Sequence, residues 1–307
     1  MAKRVAVTGG AGFIGSHLVE RLVSAGDRVT AIDDLSRGRR AWLPAEAELV
    51  ELDVRDGEGM TEAFEHAAPE VVVHLAAMHF IPAVDGAPEL AWEVNVDGTA
   101  SVLGALERRP PQLLLFASTA AVYPDRSGPI AESCPPDPLD LYGRTKLEGE
   151  RLVARFSEQT GSRSVVARIF NVVGRRETNA HVVPELVGQL RRGDSPVRLG
   201  NLDARRDYTD AVDVAAALHL LLSAPPAAGD TFNLGSGRAT SVADLVRACE
   251  ESLGRPVEVN VERTRLRPQD RAELVADATL LRETTGWEPT LTIRDTLAKL
   301  LTDPEDS

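Results

Sequence analysis

The sequence predicts an α/β fold, a doubly wound parallel sheet with a smaller C-terminal α/β substrate lobe. Three observations predict it: short apolar runs alternate with amphipathic stretches, a glycine-rich turn follows the first run, and segments shorten beyond residue 172. Apolar runs without a two-residue alternation are typical of strands buried on both faces. We assign residues 1–172 to the large lobe and 173–307 to the smaller one, and expect some later elements to return to the large sheet.

Six short runs rich in Val, Ile or Leu are the predicted strands of the large lobe. They span residues 5–8, 28–32, 48–52, 71–75, 113–117 and 164–169. Apolar residues recur at helical spacing in residues 13–24, 88–107 and 142–159, which predicts helices there. Ligands of such sheets bind beyond the carboxyl ends of the strands, so we expect the functional residues at that edge.

Composition limits the classes of partner. The 307 residues carry a formal net charge of -13, which disfavours nucleic acid and anionic membranes as partners. Cys134 and Cys249 are too few for a disulfide framework and show no metal-ligand spacing, so we predict free thiols and no metal site. No signal peptide or uncharged apolar run of about 18 residues is present, and we expect a cytoplasmic protein.

A glycine-rich turn after the first predicted strand indicates a dinucleotide site of the Rossmann type. Glycine permits a tight turn, brings the backbone close to a pyrophosphate at the next helix N-terminus, and lets helix pack on strand. Asp33 ends the second strand, where a carboxylate binds both ribose hydroxyls of NAD and repels the 2'-phosphate of NADP. Arg37, Arg39 and Arg40 could soften that preference. The glycines are Gly9, Gly12 and Gly15.

Asp53 and Val54 follow the third predicted strand. The Asp53 carboxylate could accept a hydrogen bond from the adenine amino group, or it could instead cap the helix that follows.

Tyr142 and Lys146 stand four residues apart, which places a phenol and an ammonium on one face of a helix. A nearby ammonium, together with the positive nicotinamide ring, would lower the pKa of the phenol and make it a usable base. Thr119 ends the fifth strand at the ligand edge and could hold a substrate oxygen against that phenol. The same spacing would also fit a surface lysine on an ordinary amphipathic helix.

Seven strings together resemble the extended short-chain dehydrogenase/reductase family, and within it the UDP-galactose 4-epimerase-like branch of NDP-sugar epimerases and dehydratases. The similarity runs from about residue 3 to about residue 298. It implies NAD as cofactor, an NDP-sugar (UDP-sugar first) as substrate, and a homodimer joined through residues 88–107 and 142–159. The strings are TGGAGFIGSH (8–17), HLAA (74–77), NVDGT (95–99), STAAVY (118–123), YGRTK (142–146), RIFN (168–171) and RRDY (205–208).

The resemblance also implies the roles of individual residues. The catalytic trio is Thr119, Tyr142 and Lys146. The NAD site comprises Gly9, Gly12, Phe13, Ile14, Gly15, Asp33, Asp34, Ser36, Asp53, Val54, Leu75, Ala76, Ala77, Asn95, Ser118, Tyr142, Lys146 and Phe170. The substrate site comprises Thr119, Asn171, His181, Val182, Arg206, Arg267 and Asp270. Further pocket residues of open role are Met78, His79, Arg175 and Arg176.

Departures from the family pattern narrow the chemistry. Related 4,6-dehydratases carry an acidic pair after the catalytic threonine, where this chain has Ala120 and Ala121. Reversible epimerisation at C4 through a transient 4-keto sugar needs no such acid, and is the predicted reaction. Thr178 stands where uronate epimerases place an arginine, which makes a UDP-uronate 4-epimerase less favoured. The sequence is also compatible with an NDP-sugar 4-ketoreductase or another NDP-sugar oxidoreductase, and with a non-catalytic NAD(H)-binding regulator.

Overall fold

The computed structural model describes residues 2–225, 230–265 and 271–303. Within them a seven-stranded parallel sheet has the order β10-β6-β5-β4-β1-β2-β3, and the predicted fold class is confirmed. Its strands are β1 (Arg4–Thr8), β2 (Arg28–Asp33), β3 (Glu48–Glu51), β4 (Val71–His74), β5 (Leu113–Thr119), β6 (Arg163–Ile169) and β10 (Thr231–Leu234).

Helices cover both faces of this sheet. Val5 and Val7 of β1 face a core that includes Leu18 and Leu218, whereas Ala6 faces a second core. The apolar side chains of β1 thus alternate between two cores, which explains why its sequence shows no polar face. One face carries α1 (Phe13–Ser24) and α8 (Ala211–Leu221). The other carries α2 (Gly57–Ala67), α5 (Gly98–Leu106) and α6 (Leu141–Thr160).

The helix predicted over residues 88–107 is interrupted. It consists of α4 (Pro88–Trp92), a π-helical turn (Glu93–Asp97) and α5. Gly98 packs so closely on Val54 that a Cβ there would lie 2.8 Å from Val54 Cγ2. The π turn accompanies this close packing and contains the buried Asn95. Helical spacing in the sequence does not reveal such a turn. A short helix, α3 (Ile81–Gly86), precedes it and was not predicted.

The smaller lobe has its own core, formed by Leu186, Tyr208, Leu245 and Leu297 among others. Its helices are α7 (Val182–Arg192), α9 (Val242–Leu253) and α11 (Ile293–Thr302), whereas α10 (Thr279–Thr285) packs with α8 and β10 in the core of the large sheet. The short strands of the smaller lobe are β7 (Asn171–Val173), β8 (Val197–Leu199), β9 (Arg205–Asp210), β11 (Ala239–Ser241), β12 (Val259–Val261) and β13 (Glu273–Leu274).

Asp207 of β9 fastens the smaller lobe to the segment that leaves the large sheet. Its carboxylate accepts hydrogen bonds from the backbone of Ser236 (2.7 Å), Gly237 (2.8 Å) and Ala276 (3.1 Å). The chain thus crosses between lobes more than once, since α8 and β10 lie on the large sheet although they follow residue 172. Among the described helices, none is long and apolar enough to cross a membrane.

Candidate active site

The glycine-rich turn between β1 and α1 has almost no room for side chains. Gly9 has φ +69°, and a Cβ on Gly15 would lie 2.0 Å from the Gly9 carbonyl oxygen. Gly12 is the N-cap residue of α1 and provides no side chain to accept from the first amides. These N–H groups and the positive end of the helix dipole form a site for a phosphate group.

Asp33 ends β2 beside this turn. Its carboxylate accepts hydrogen bonds from the backbone N–H groups of Ala11 and Leu35, both at 2.9 Å. Burial raises the pKa of Asp33, while these backbone donors oppose the shift. Its position is therefore fixed by the turn that it adjoins.

Asp53 follows β3 and does not cap a helix. The N-cap of α2 is Asp56, which accepts from the Gly59 N–H at 3.0 Å, so a helix-capping role for Asp53 is wrong. Asp53 instead pairs with Arg55 at 2.6 Å, and the hydrogen bond from this guanidinium lowers the pKa of Asp53.

The ends of β5 and α6 bring Thr119, Tyr142 and Lys146 together. Asp140 caps α6 by accepting from the Gly143 N–H at 2.7 Å. A Cβ on Gly143 would lie 2.4 Å from the Ala121 carbonyl oxygen, so glycine lets the start of α6 approach the turn after Thr119. The Thr119 side chain lies close enough to the Tyr142 hydroxyl to affect its pKa.

Burial shifts the pKa values of both titratable members of the trio. It raises the pKa of Tyr142, which the hydrogen bond with Thr119 opposes. It lowers the pKa of Lys146 to about 7, while the carboxylate of Glu150 opposes this change. The Lys146 ammonium lies 4.2 Å from the ring centroid of Phe116. In the protein alone, burial is therefore the largest effect on the Tyr142 pKa and raises it, opposite to the lowering expected from a nearby ammonium.

A single cavity of about 1190 Å³ joins the glycine turn to the trio and continues into the smaller lobe. Sites for one drug-sized ligand occupy roughly 300–1,000 Å³, so this cavity has room for more. It opens at the carboxyl ends of the strands, beside β1 and β4, where the order of strand connection reverses. A dinucleotide fits this end of the cavity. The glycine turn leaves room for it, the first amides of α1 suit its phosphates, and the carboxylate of Asp33 lies beside them.

The comparisons with known proteins agree with this site. The model of the NAD-dependent epimerase/dehydratase family matches residues 5–235. The chain belongs to this family. A UDP-glucose 4-epimerase of Corynebacterium glutamicum is 35% identical to this family member over 307 residues, which cover 93% of this chain and 91% of that protein.

Two solved structures are similar to this family member over nearly its whole length. The UDP-glucose 4-epimerase of Thermotoga maritima, solved with UDP-glucose, has a TM-score of 0.89 at 30% identity, with 97% of both chains covered. The enzyme of the same name from Thermus thermophilus, solved with NAD, has a TM-score of 0.89 at 31% identity, with 97% of this chain and 99% of that chain covered. The present chain is thus an NAD-dependent enzyme of the epimerase type.

Most of the predicted site residues of this epimerase-family chain line the cavity. Asn95 does not: its side-chain oxygen accepts from Met78 N–H at 2.7 Å, and its amide donates to Thr145 Oγ1 at 3.0 Å. It connects the loop after β4 to α6, and its place in the NAD site stays a prediction. The predicted residues that line the cavity are Gly9, Gly12, Phe13, Ile14, Gly15, Asp33, Asp34, Ser36, Asp53, Val54, Leu75, Ala76, Ala77, Ser118, Thr119, Tyr142, Lys146, Phe170, Asn171, His181, Val182 and Arg206.

Arg175 and Arg176 were expected in the pocket and do not line it. Arg175 pairs with Asp303 at 3.6 Å, and Arg176 pairs with Glu20 of α1 at 2.6 Å. Arg267 and Asp270 lie outside the described residues. Other arginines therefore line the substrate end of the cavity.

Two arginines that sequence reasoning missed, Arg265 and Arg271, line the same cavity as Arg206. Arg271 donates to the carbonyl of Tyr123 at 2.8 Å, and its own carbonyl accepts from Arg206 at 2.9 Å. These bonds join the smaller lobe to the turn after β5. Both residues flank the predicted Arg267–Asp270 stretch, but in a chain with 34 Lys and Arg residues the sequence gives no sign that separates them from solvated arginines.

His79 joins a cluster at the substrate end of the cavity. The Asn179 amide nitrogen lies 3.2 Å from His79 Nε2 and donates to Glu177 at 3.1 Å. His79 stacks on His181, with ring centroids 6.0 Å apart. The side-chain ligand atoms of His79, Glu177 and His181 all lie within 4.8 Å of one another. Because Asn179 already bonds to two of these side chains, we interpret the cluster as hydrogen-bonding groups of the cavity wall.

Proposed function

We propose that this enzyme interconverts the C4 epimers of a UDP-linked sugar. The observation that carries the proposal is that Thr119, Tyr142 and Lys146 share one cavity with the dinucleotide turn, next to Ala120 and Ala121. The two alanines supply no proton donor where elimination of water would need one. Epimerisation needs proton transfer only at the oxygen on C4, which one phenol can perform in both directions. The names of its relatives support the same reaction.

The protein side of the reaction is proton transfer and positioning. Tyr142 removes the proton from the 4-hydroxyl and later returns it, while Thr119 holds that oxygen at hydrogen-bond distance. Lys146 lies one turn along α6, and its ammonium form stabilises the Tyr142 phenolate. The glycine turn and Asp33 would hold NAD, which when bound would supply a reversible hydride acceptor for C4.

The sugar has to turn over between the two hydride transfers, so its diphosphate has to stay fixed. Asn171, His181, Val182 and Arg206 line the cavity beyond the trio and are the proposed anchors, with Arg267 and Asp270 as predicted partners outside the described residues. Arginine suits this role because its planar fork matches phosphate oxygens.

We also propose a homodimer that acts in the cytoplasm. Trp92 of α4 is 42% exposed, and a large apolar side chain on a predicted interface helix supports burial by a second copy. The two buried thiols Cys134 and Cys249 support a reducing compartment.

The test is turnover of a panel of UDP-sugars by the protein as purified, with no cofactor added and the C4 epimer followed by proton NMR. We expect conversion of at least one neutral UDP-hexose or UDP-pentose to its C4 epimer. Tyr142→Phe should lower kcat by about 10²-fold or more, the range for loss of a general base, and leave NAD bound. Product formation only with stoichiometric NADH or NADPH would replace the proposal by a ketoreductase activity.

A further inference from the structure

A buried polar network that includes Glu150 extends from α6 into the large sheet beside the trio. Glu150 accepts from the Ser118 hydroxyl at 2.5 Å and pairs with Arg168, whose Nε and Nη2 donate at 2.9 and 2.7 Å. Arg168 also donates to the Tyr123 hydroxyl at 3.0 Å, and this hydroxyl donates to Asn233 at 2.7 Å. The network therefore joins α6 to β5, β6 and β10.

The members of this network are nearly closed to solvent. The side chains of Arg168 and Glu150 are 8% and 10% exposed, and Tyr123 and Asn233 are fully buried. Removal of one partner from such a pair leaves the other charge buried without compensation, which is far more costly than loss of a surface pair. Ser118 directly precedes Thr119, so its bond to Glu150 fixes α6 against the end of β5 beside the trio.

Glu150 also faces the catalytic lysine. It stands four residues after Lys146, hence on the same face of α6 and one turn away. Burial lowers the pKa of Lys146 to about 7, and the Glu150 carboxylate acts in the opposite direction. The other titratable groups around Lys146 are Tyr142, one turn before it on α6, and two imidazoles, His74 of β4 and His79 after it. Burial lowers the pKa of both imidazoles, so neither adds positive charge at neutral pH.

We propose that Glu150, held between Ser118 and Arg168, is a positioning residue that keeps Lys146 charged and holds α6 in register with Thr119. The inference rests on the proposed function, because a charged Lys146 matters only if Tyr142 works as a base. Arg168 donates to both carboxylate oxygens, so the buried Glu150 side chain has a bidentate partner. Without the carboxylate, the Arg168 guanidinium would be a buried cation without its partner, and Lys146 would lose the carboxylate that favours its charged form.

The sequence provides an unusually direct measurement, since Lys3, Lys146 and Lys299 are its only lysines. Protein labelled with 13C-lysine gives three side-chain signals, and Lys146→Arg assigns the catalytic one. In the wild type we expect Lys146 to titrate well below the usual lysine range. Glu150→Gln should lower the pKa of Lys146 by about one unit or more, equivalent to a tenfold change in its protonation equilibrium.

The matched control is Glu148→Gln on the same helix, which removes a surface carboxylate paired with Arg151 and Arg155. It should leave the Lys146 titration unchanged, and Glu150→Asp, which keeps the charge, should restore most of the wild-type value. If Glu150→Gln does not fold, the double variant Glu150→Gln, Arg168→Met removes both buried charges. This variant should still lower the pKa of Lys146. An unchanged Lys146 titration in the folded variant would overturn the inference.

Activity supplies a second measurement. Activity that needs a charged Lys146 falls as the pH rises through its pKa, so in Glu150→Gln the fall should occur at lower pH. At pH 8 we expect kcat to drop about tenfold or more with little change in the KM for the UDP-sugar. A parallel loss at every pH would mean that Glu150 only supports the fold. The NMR titration requires no turnover, so failure of the proposed epimerisation would be visible separately as an inactive wild type.

Discussion

At the scale of the residue, burial in one cavity shifts the pKa values of the Tyr142 phenol and the Lys146 amine in opposite directions. Burial disfavours both charged forms, so the pKa of the phenol rises and that of the ammonium falls. Only the shift of Lys146 moves a group toward neutral pH, whereas burial by itself makes Tyr142 harder to ionise. The positive nicotinamide ring of bound NAD would add the charge that favours the phenolate.

A lysine kept in such a place should lower the stability of the nucleotide-free protein. The pKa of Lys146 is about 7 in the folded chain and 10.5 in the unfolded one, so between these values the unfolded chain binds more protons. The cost is therefore full below pH 7 and disappears as the pH rises to 10.5. We expect Lys146→Met, stripped of nucleotide, to be more stable than the wild type by on the order of 1–3 kcal/mol at pH 7.

Urea unfolding of both proteins at pH 7 and pH 9.5 measures this difference. It should shrink at the higher pH, where wild-type Lys146 is neutral in the folded chain. An equal stability difference at both pH values would show that packing of the methionine, not the lysine charge, is responsible.

The sequence was informative about residues whose chemistry is set by local spacing. The glycine turn, Asp33, and the Tyr142–Lys146 pair could all be located because each depends on neighbours within a few positions or on the end of one strand. Asn95, Glu150 and Arg271 could not, since their partners are 17, 32 and 148 residues away in the chain. Only the folded chain shows that an amide or a charge at these positions joins two elements.

At the scale of the element, α6 depends on a glycine for its approach to β5. A Cβ on Gly143 would lie 2.4 Å from Ala121 O and 2.8 Å from Pro138 Cβ, both part of the turn and loop that face the helix. Gly143→Ala should therefore push the start of α6 away from Thr119. Because misplacement by about 1 Å can cost about 10²-fold in rate, we expect kcat to fall by about tenfold or more.

Gly188→Ala in α7 is the control for this substitution. Its Cβ would meet only the end of the flexible Arg192 side chain, at 3.4 Å, and alanine favours the helix by about 0.8–1 kcal/mol. We expect wild-type kcat and equal or greater stability in thermal unfolding. Wild-type turnover by Gly143→Ala would contradict the close approach seen in the structure.

At the scale of the element, strands could be predicted where the apolar pattern was strong, although their exact first and last residues could not. The strands β1, β2, β5 and β6 were each placed within two residues, because a buried parallel strand is apolar on both faces. The π turn within residues 93–97 could not be foreseen, since it depends on Gly98 packing against Val54 from another part of the chain. The polar helix α2 was missed because its apolar face is narrow, with Met60, Ala63 and Phe64 buried.

At the scale of the whole molecule, the proposed dimer can be tested on one exposed side chain. Trp92 projects from α4 with 42% of its surface exposed. Sedimentation at micromolar concentration should show a dimer, and Trp92→Glu should shift it toward monomer because a charge would be buried at the interface. Leu220→Glu, at a 38% exposed leucine of α8, is the control and should leave the dimer intact. A wild-type monomer would remove the dimer without affecting the chemistry.

The division of the chain into two lobes at residue 172 stays a prediction, and the path of the chain shows why sequence alone places it poorly. The segment after β6 enters the smaller lobe through β7, returns as α8 and β10, and leaves again through β11. Short apolar strands of either lobe look alike in sequence, and partner choice is set by long-range pairing. The cavity lies where these crossings meet, so cofactor and sugar residues alternate along the chain.

The central claim is that hydride leaves and returns at the same carbon while Tyr142 moves the proton at its oxygen. The most direct measurement uses UDP-glucose deuterated at C4, incubated with the protein as purified and without added cofactor, with NMR and mass analysis of the product. We predict UDP-galactose that keeps its deuterium at C4 with inverted configuration. Loss of the label to solvent, or conversion that requires added reductant, would contradict the proposed mechanism.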